Sequence, residues 1–174
     1  MRLFVAGETR HSTQYNLMSQ TLEKIRILLT ENKIEFREVH HEPTFTSEES
    51  AKARGEAVKI GGKAILMKVG DSFKLFILSA SLKVNSKAIK ARFGAKKSRF
   101  ASKEELADLT GLVPGCVPPF GRPILDFDLY VDQSITANEK IAFNAGSLTD
   151  SIVMKVEDYL RVAGAEVFAF SLDG

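Results

Sequence analysis

The stretch GGKAILMKVGDSFKLFILSA, residues 61–80, contains two apolar runs that are separated by Gly70-Asp71-Ser72. Two such runs on either side of a short Gly-containing turn are typical of a β-hairpin. Lys63 follows Gly61-Gly62 and opens the first of the two runs. We therefore expect a hairpin here, with Lys63 at the start of its first strand.

Short helices with clear boundaries are predicted around this hairpin. The sequences TSEE at residues 46–49 and SKEE at residues 102–105 are capping boxes, in which a Ser or Thr and a Glu three residues later cap the first helical turn. Gly55 and Gly111 are placed to end these two helices, because glycine readily adopts the left-handed conformation of a helix C-cap. Both ends of each helix are thus predicted from local sequence.

The rest of the chain alternates between strand and helix signals. Met18, Leu22, Ile25 and Leu29 recur at helical spacing, which predicts a helix that ends near Asn32. Further predicted elements are strands at residues 35–40, 124–131, 140–146, 151–155 and 166–172, and helices at residues 85–93 and 156–164. This mixture of hairpins and helices favours an α+β fold with a mixed sheet over regular βαβ winding.

The chain of 174 residues is divided into an N-terminal extension, residues 1–20, and one main domain, residues 21–174. We expect the first fifteen or so residues to form an extra strand and a linker. No apolar run approaches the roughly 20 residues that a membrane-spanning helix needs, and a single cysteine excludes an internal disulfide. The composition therefore predicts a cytoplasmic protein without a membrane partner.

The loop GLVPGCVPPFGRP, residues 111–123, contains four of the five prolines of the chain. Proline fixes φ and glycine opens unusual backbone angles, so this stretch is a shaped loop and neither a helix nor a central strand. Gly115, Cys116 and Val117 carry N–H groups, whereas Pro118 and Pro119 carry none. The loop is either a rigid connector or a rim of fixed main-chain donors that binds a carbonyl or an oxyanion.

Standard catalytic signatures are absent from the sequence, which has no G-x-S-x-G elbow, Walker loop, H-E-x-x-H or G-x-G-x-x-G motif. His40 and His41 are adjacent, so on a strand they point to opposite faces and do not share one metal. Cys116 is a candidate nucleophile, although nothing in the sequence brings a histidine base near it. We expect neither a metal ion nor a cofactor.

Lys63 has two interpretations. A lysine at a strand edge commonly protects that edge from pairing and keeps its ammonium in water. Beside flexible glycines it can instead present a compact cation to a phosphate or to developing negative charge. Composition alone leaves both interpretations open.

The segment from Lys83 to Lys103 contains eight basic residues and no acidic one, with Phe93 and Phe100 among them. Such a segment is either a solvated face or a surface that contacts a phosphate backbone. The residues that we predict to contact a nucleic acid are Lys83, Lys87, Lys90, Lys96, Lys97 and Arg99.

The motifs HHEPTFTSEES, GGKAILMKV, GCVPP, FNAGS and VEDYLRVAGAEV follow one another in the chain. In this order they resemble the YbaK / prolyl-tRNA-synthetase-associated editing-domain family, from about residue 21 to residue 170. The resemblance implies a mixed, barrel-like central sheet surrounded by helices. It also implies a trans-acting aminoacyl-tRNA deacylase, which hydrolyses the ester of mischarged tRNA.

The resemblance also implies roles for individual residues. Lys63 matches the family's active-site lysine, and Gly115 and Pro119 match a G-x-x-x-P loop whose amides orient the aminoacyl carbonyl. The predicted catalytic set is Lys63, Gly115, Cys116 and Val117. The predicted substrate-binding set is Phe45, Thr46, Pro119, Phe143, Asn144, Ala145 and Gly146. Many relatives have a His or Ser at or near Asn144, so the resemblance does not fix the amino-acid specificity.

An aminoacyl ester is already reactive, so a positioned water, main-chain amides and a ribose hydroxyl of the substrate suffice for hydrolysis. We therefore expect a deacylase for tRNA carrying a small amino acid of the Ala, Ser, Thr or Cys class. Mischarged tRNA is the expected partner, and an aminoacyl-tRNA synthetase is a further candidate. The alternatives are a non-catalytic tRNA-binding or synthetase-associated module and a hydrolase of another small acyl ester.

Overall fold

The computed structural model describes residues 8–174, in which helices and strands alternate as the sequence predicts. The helices are α1 (Glu8–Glu31), α2 (Ser47–Arg54), α3 (Ser86–Phe93), α4 (Lys103–Thr110), α5 (Gln133–Thr136) and α6 (Val156–Ala163), with a 3₁₀ turn at Val58–Ile60. The strands are β1 (Phe36–His40), β2 (Gly62–Val69), β3 (Ser72–Ser79), β4 (Leu82–Val84), β5 (Ser98–Phe100), β6 (Leu129–Asp132), β7 (Lys140–Asn144), β8 (Asp150–Lys155), β9 (Glu166–Phe168) and β10 (Ser171–Asp173). The predicted α+β class is confirmed.

The predicted hairpin forms the middle of the largest sheet. β2 and β3 pair antiparallel over their whole length, from Gly62 opposite Ser79 to Val69 opposite Ser72. The sheet has the order β5-β2-β3-β6-β9 and is mixed, because β6 is parallel to both β3 and β9. Further sheets have the orders β1-β8-β7 and β10-β4. The barrel-like closure that we expected is not confirmed.

The capping signals fix the helix ends as predicted. The Thr46 hydroxyl accepts the N–H of Glu49 at 3.1 Å, and the Ser102 hydroxyl caps α4 in the same way. Gly55 ends α2 with φ 68°, a left-handed conformation that costs other residues more than glycine. Because α2 is held at both ends, its side chains have fixed positions on the wall of the site described below.

Helix α1 begins earlier than predicted. Leu22, Ile25 and Leu29 are buried in the core, as their spacing predicts, but the helix already starts at Glu8. The predicted linker is therefore wrong from Glu8 onward, and the remainder of the predicted N-terminal strand and linker lies in residues 1–7, outside the described residues. The proposed boundary between residues 20 and 21 falls inside this helix and stays a prediction. No helix within residues 8–174 is long and apolar enough to cross a bilayer.

Two predicted strands are shorter than expected. The segment 124–131 is a strand only from Leu129, because the N–H groups of Ile124 and Leu125 both turn back to the carbonyl of Gly121. The segment 166–172 breaks into β9, which pairs with β6, and β10, which pairs with β4. The break occurs where the N–H of Phe170 donates to the buried Asp132 carboxylate instead of to a strand.

Buried side chains form a larger and a smaller cluster. The smaller one is aromatic, with the rings of Phe76 and Tyr130 stacked 5.4 Å apart. The larger one also contains side chains from the loop at residues 111–123, namely Leu112, Cys116, Val117 and Phe120. The loop is therefore anchored in the core, and the main-chain groups between its anchors have little freedom to move.

Asp132 connects the end of β6 to the break between β9 and β10. Its carboxylate, only 1% exposed, accepts hydrogen bonds from the Ser134 N–H, the Phe170 N–H and the Ser171 hydroxyl. Burial alone would raise the pKa of Asp132, but these hydrogen bonds outweigh it and hold the pKa below its ordinary value. The folded state therefore favours the ionised carboxylate.

We expect Asp132→Asn to lower the free energy of unfolding by about 2 kcal/mol at neutral pH. The amide NH₂ of the asparagine would face N–H and O–H groups that now donate to the carboxylate. The control Asp108→Asn, on the exposed side of α4, should change it by less than about 0.5 kcal/mol. Because the folded-state pKa is lowered, the Asp132 contribution is lost as the pH falls below about 3.9. Urea unfolding should show the gap between wild type and Asp132→Asn closing in acid, and a gap independent of pH would contradict this.

Candidate active site

Helix α2, the first residues of β2 and the loop at residues 111–123 surround a cavity of about 240 Å³, here called the active-site cavity. Lys63 from β2 and Gly115 from the loop both line it, although they are distant in sequence. Asn144, at the end of β7, closes a further side. The fold thus brings together three of the segments that carry the predicted site residues.

The Lys63 ammonium lies against the wall of this cavity. Its Nζ donates to the carbonyl oxygen of Leu82 in β4 at 2.6 Å. Burial lowers the pKa of Lys63, the neighbouring Glu48 opposes this, and the charge of Lys83 adds to the lowering. Lys63 is therefore a half-buried, positioned cation and not a freely moving surface lysine.

The loop presents main-chain donors to the cavity. Gly115 and Val117 line it, and within residues 8–174 their N–H groups have no hydrogen-bond acceptor. The N–H of Cys116, by contrast, donates to the Val113 carbonyl at 3.1 Å in a turn. Of the three amides that we predicted to act together, two are thus free to bind a ligand and one is already engaged.

Arg54 is the site residue that the sequence analysis missed. It projects from the last turn of α2, is buried, and lines the cavity. Its guanidinium donates to Ser151 Oγ at 2.9 Å and to Asn144 Oδ1 at 2.8 Å, and no carboxylate in the described part of the chain pairs with it. Burial lowers the pKa of Arg54 to about 10, so the side chain keeps its charge at neutral pH.

A sequence signal for Arg54 does exist. Ser47, Ser50 and Arg54 recur at spacings of three and four residues, which places them on one face of the helix opened by the capping box. All three line the active-site cavity. The face is polar, so a search for apolar periodicity passes over it.

Asn144 connects Arg54 to the loop. Its Oδ1 accepts hydrogen bonds from Arg54 and from the Ser151 hydroxyl, and its Nδ2 donates to the Gly115 carbonyl at 2.7 Å. Gly115 has φ 88°, a conformation that favours glycine. Asn144 therefore lines the cavity and also holds the Gly115 carbonyl of the loop that borders it.

Hydroxyl groups cover much of the remaining wall. Thr44 and Ser50 are buried and bonded to each other at 2.8 Å, and Thr46 and Ser47 lie at the start of α2. Phe45 stands at the rim with 77% of its surface exposed. The cavity is thus small and polar, with one aromatic side chain at its entrance.

Some predicted site residues lie behind the cavity wall and not on it. They are Cys116, Pro119, Phe143, Ala145 and Gly146, all outside the lining. The Pro119 carbonyl accepts the buried Tyr159 hydroxyl at 2.7 Å, and Phe143 packs edge-on against Phe120. Gly146 donates its N–H to the Cys116 carbonyl at 3.0 Å. Their positions are those of residues that support the loop from the core.

The two adjacent histidines make separate contacts. His40 Nδ1 lies 2.8 Å from the Asp150 carboxylate, which raises the pKa of His40, whereas His41 Nε2 lies 2.8 Å from Ser151 Oγ. Within residues 8–174 no three His, Cys, Asp or Glu side chains are close enough together to hold a metal ion.

The predicted tRNA-binding residues are divided among several places. Lys90, Lys96, Lys97 and Arg99 line a depression of about 490 Å³ together with Lys68, here called the basic depression. Lys83 acts on Lys63 through its charge, and Lys87 is exposed on α3. The Arg99 guanidinium makes two hydrogen bonds of 2.7 Å to Glu105, so its charge is already neutralised.

Comparison with known proteins identifies the class to which this site belongs. The profile of the aminoacyl-tRNA editing domain matches residues 41–162, which include every residue of the active-site cavity. The chain belongs to this family, and the resemblance noted from its motifs is confirmed. The predicted class of enzyme, an aminoacyl-tRNA hydrolase, is confirmed at the level of this family.

Individual relatives cover most of the chain. It is 34% identical over 158 residues to the multifunctional Ser/Thr-tRNA deacylase ProXp-y of Escherichia coli (strain K12), covering 87% of this chain and 93% of that protein. It is 25% identical to the prolyl-tRNA editing protein ProX of Acetoanaerobium sticklandii, covering 79% and 87%. The crystal structure of a candidate trans-editing enzyme for prolyl-tRNA synthetase matches with a TM-score of 0.75 at 21% identity, over 87% and 97% of the two chains. That structure shares the fold.

The buried position of Cys116 yields a prediction about its chemistry. Burial raises the pKa of the thiol to about 11, so at about pH 8 it stays protonated and unreactive. We expect a thiol-specific reagent to label the folded protein about 100-fold more slowly than the unfolded chain. Cys116→Ala should retain ester hydrolysis. Rapid labelling of the folded protein, with loss of activity in the variant, would make Cys116 a nucleophile.

Proposed function

We propose that this protein is a trans-acting deacylase that hydrolyses the ester bond of tRNA carrying a small amino acid of the Ala, Ser, Thr or Cys class. The observation that carries the proposal is the combination, in one cavity, of two cations with two unpaired main-chain N–H groups. The similarity to a Ser/Thr-tRNA deacylase over 93% of that protein's length supports both the substrate class and action in trans.

The charge of the cavity favours an anionic substrate. Arg54 and Lys63 line it, and no Asp or Glu is among the residues of its wall. A planar guanidinium and a compact ammonium are both suited to a phosphate group. We assign them to the phosphate of the terminal nucleotide, on the side of the ester away from the amino acid, since the α-ammonium of the amino acid would be repelled by these cations.

The free amides of Gly115 and Val117 are assigned to the carbonyl oxygen of the ester. Donors that are already oriented stabilise the negative charge that develops on this oxygen when the carbonyl carbon is attacked, and they do so without reorganising. Hydrogen bonding by Asn144 and anchoring of the loop in the core hold these donors in place. Gly115, Val117 and Lys63 are the residues of the predicted catalytic set that this assignment uses.

The attacking group is water. No His, Asp or Glu lines the cavity, so the proton acceptor is a hydroxyl of the substrate's own terminal ribose, the mechanism we expected from the sequence. The water oxygen bonds to the carbonyl carbon, and the bond from that carbon to the ribose oxygen breaks. The water gives a proton to the neighbouring ribose hydroxyl, that hydroxyl passes its own proton to the departing ribose oxygen, and the products are the free amino acid and uncharged tRNA.

Cavity size sets the selectivity in this proposal. About 240 Å³ accommodates a small side chain together with part of the terminal ribose, whereas a large aromatic side chain would leave little room for the ribose. The hydroxyl groups of Thr44 and Ser50 are hydrogen-bonded to each other. They therefore compete little for the hydrogen bonds of a hydroxyl on the substrate. A pocket of this kind separates side chains by steric exclusion, which discriminates more strongly against larger groups than against smaller ones.

The first test is hydrolysis of a panel of tRNAs charged with Ser, Thr, Ala, Cys and, as a large side chain, Tyr. We expect hydrolysis of members of the small set, none of Tyr-tRNA, and a loss of about 100-fold for Lys63→Ala. Lys59→Ala removes an exposed lysine nearby and is the matched control. A wild type that binds tRNA but hydrolyses no member of the panel would instead be a non-catalytic tRNA-binding module.

The terminal ribose hydroxyl is tested separately. A substrate that lacks this hydroxyl should be hydrolysed far more slowly by the wild type, because no side chain of the cavity replaces it as proton acceptor. Equal hydrolysis of the two substrates would favour a general hydrolase of small acyl esters.

Arg54 is predicted to serve function at a cost in stability. Replacing a buried, unpaired charge by an apolar side chain of similar length is often neutral or stabilising. We therefore expect Arg54→Met to lower kcat/KM about tenfold or more while the free energy of unfolding falls by no more than about 1 kcal/mol. Arg161→Met, at an exposed position on α6, should change neither quantity. If Arg54→Met were much less stable than the wild type but equally active per folded molecule, the role of Arg54 would be purely structural.

A further inference from the structure

The active-site cavity and the basic depression are lined by different parts of strand β2, and these two depressions together with the one between them are here called the channel. Between them lies a third depression of about 170 Å³, here called the bridging depression. It shares Ala64, Gly115 and Val117 with the active-site cavity. At its other end is Phe100, next to Arg99, which lines the basic depression. The three depressions therefore follow one another along strands β2 and β5.

Building on the proposed deacylase, we propose that this channel binds the single-stranded 3′ end of tRNA, with a base stacked on Phe100 and backbone phosphates on the lysines of the basic depression. The ester then lies in the active-site cavity and the chain of nucleotides leads away from it. The proposal adds Phe100 and Lys68 to the residues that bind tRNA. Neither belongs to the set predicted from the sequence. The proposal also excludes Arg99 from the residues that contact phosphates, because Arg99 is paired with Glu105.

The geometry of the sheet explains why the channel exists. β5 has only three residues, and it pairs with β2 from Met67 to Val69. Between the bridge of Gly61 to Ala142 in β7 and the pairing with β5, residues 63–65 of β2 have no strand paired with them on this edge within residues 8–174. The bridging depression occupies the place of the missing strand. Lys63 and Lys68 are five residues apart on β2, so their backbone positions are about 17 Å apart at ~3.3 Å per residue and their side chains leave opposite faces of the strand.

The side chains along the channel suit a single-stranded nucleic acid. Phe100 is 56% exposed and makes no ring contact with another aromatic side chain in the described part of the chain. A base has a π-face, so it stacks on such a ring whatever its sequence. Phe100 lines the depression between the one that contains Lys63 and the one that contains Lys68, and aromatic platforms combined with positive charge are typical of proteins that bind single strands.

The lysines of the basic depression are available for phosphates. Lys68, Lys90, Lys96 and Lys97 form no ion pair with the described residues, whereas Arg99 is held by Glu105. No Asp or Glu lines any of the three depressions. Stacked nucleotides place a phosphate about every 3.4 Å along a strand, so 17 Å accommodates about five of them. The length and charge of the channel therefore match a short single strand that ends in the active-site cavity.

The phosphate contacts are tested by binding of uncharged tRNA, which requires no catalysis. The triple variant Lys90→Ala/Lys96→Ala/Lys97→Ala should bind about tenfold or more weakly, and its slope of log affinity against log salt should fall by about 2. The matched control removes the same charge elsewhere, at Lys24, Lys59 and Lys155, which are exposed and line none of the three depressions. Equal losses in the two triple variants would overturn the proposed path.

The stacking contact is tested with intact tRNA and with tRNA that lacks its single-stranded 3′ end. Phe100→Ala should weaken binding of intact tRNA about tenfold and leave binding of the truncated tRNA unchanged. Phe100→Tyr should bind both as the wild type does, and Tyr15→Ala controls for the loss of an exposed aromatic side chain elsewhere. A loss for Phe100→Ala that is the same with both tRNAs would refute stacking on the 3′ end.

A further measurement separates this proposal from the proposed function. Both Phe100→Ala and the lysine triple variant should hydrolyse a minimal aminoacyl-adenosine ester at the wild-type rate, because that substrate does not reach the channel beyond the cavity. Loss of this activity in folded variants would overturn the proposed path. A wild type that binds tRNA through the channel but does not hydrolyse the ester would overturn the proposed function and leave the path supported.

Discussion

A positive charge buried without a carboxylate partner is the constraint on which the site depends. The guanidinium of Arg54 is held only by neutral oxygens, so these oxygens have to be fixed where they stabilise it. Asn144 supplies one of them, and its amide nitrogen in turn holds the Gly115 carbonyl. The position of the loop is thereby coupled to the position of the charge, and in the proposed function an anionic group of the substrate supplies the negative charge that the cavity wall lacks.

This arrangement explains how a hydrolase functions without a catalytic dyad or triad. Prolines restrict the loop at residues 111–123, and its apolar side chains are packed in the core, so its exposed amides lose little entropy when they bind a carbonyl. In the mechanism that we propose, the substrate supplies reactivity, and the protein supplies orientation and fixed charge. Selectivity then resides in the volume and hydroxyl lining of the cavity, which a few substitutions can change without rebuilding the catalytic parts.

The sequence predicted features that are set by neighbouring residues. The hairpin from Gly62 to Ser79 and both capping boxes follow from local patterns, and Lys63 and Gly115 follow from motifs shared with a family. Features set by distant contacts were missed. Arg54 is held at the cavity by a residue 90 positions away, and the break between β9 and β10 lies where the N–H of Phe170 donates to Asp132 from another strand. The engaged N–H of Cys116 likewise depends on a turn that composition does not reveal.

The pairing of β4 with β10 links the last strand of the fold to the chemistry. Leu82 stands opposite Asp173 in this small sheet, and its carbonyl receives the Lys63 ammonium. A fusion tag or peptide joined directly after residue 174, if it pulled β10 away, would release the acceptor that orients this lysine. Protein prepared for assays should therefore carry any affinity tag before residue 1 or behind a flexible spacer.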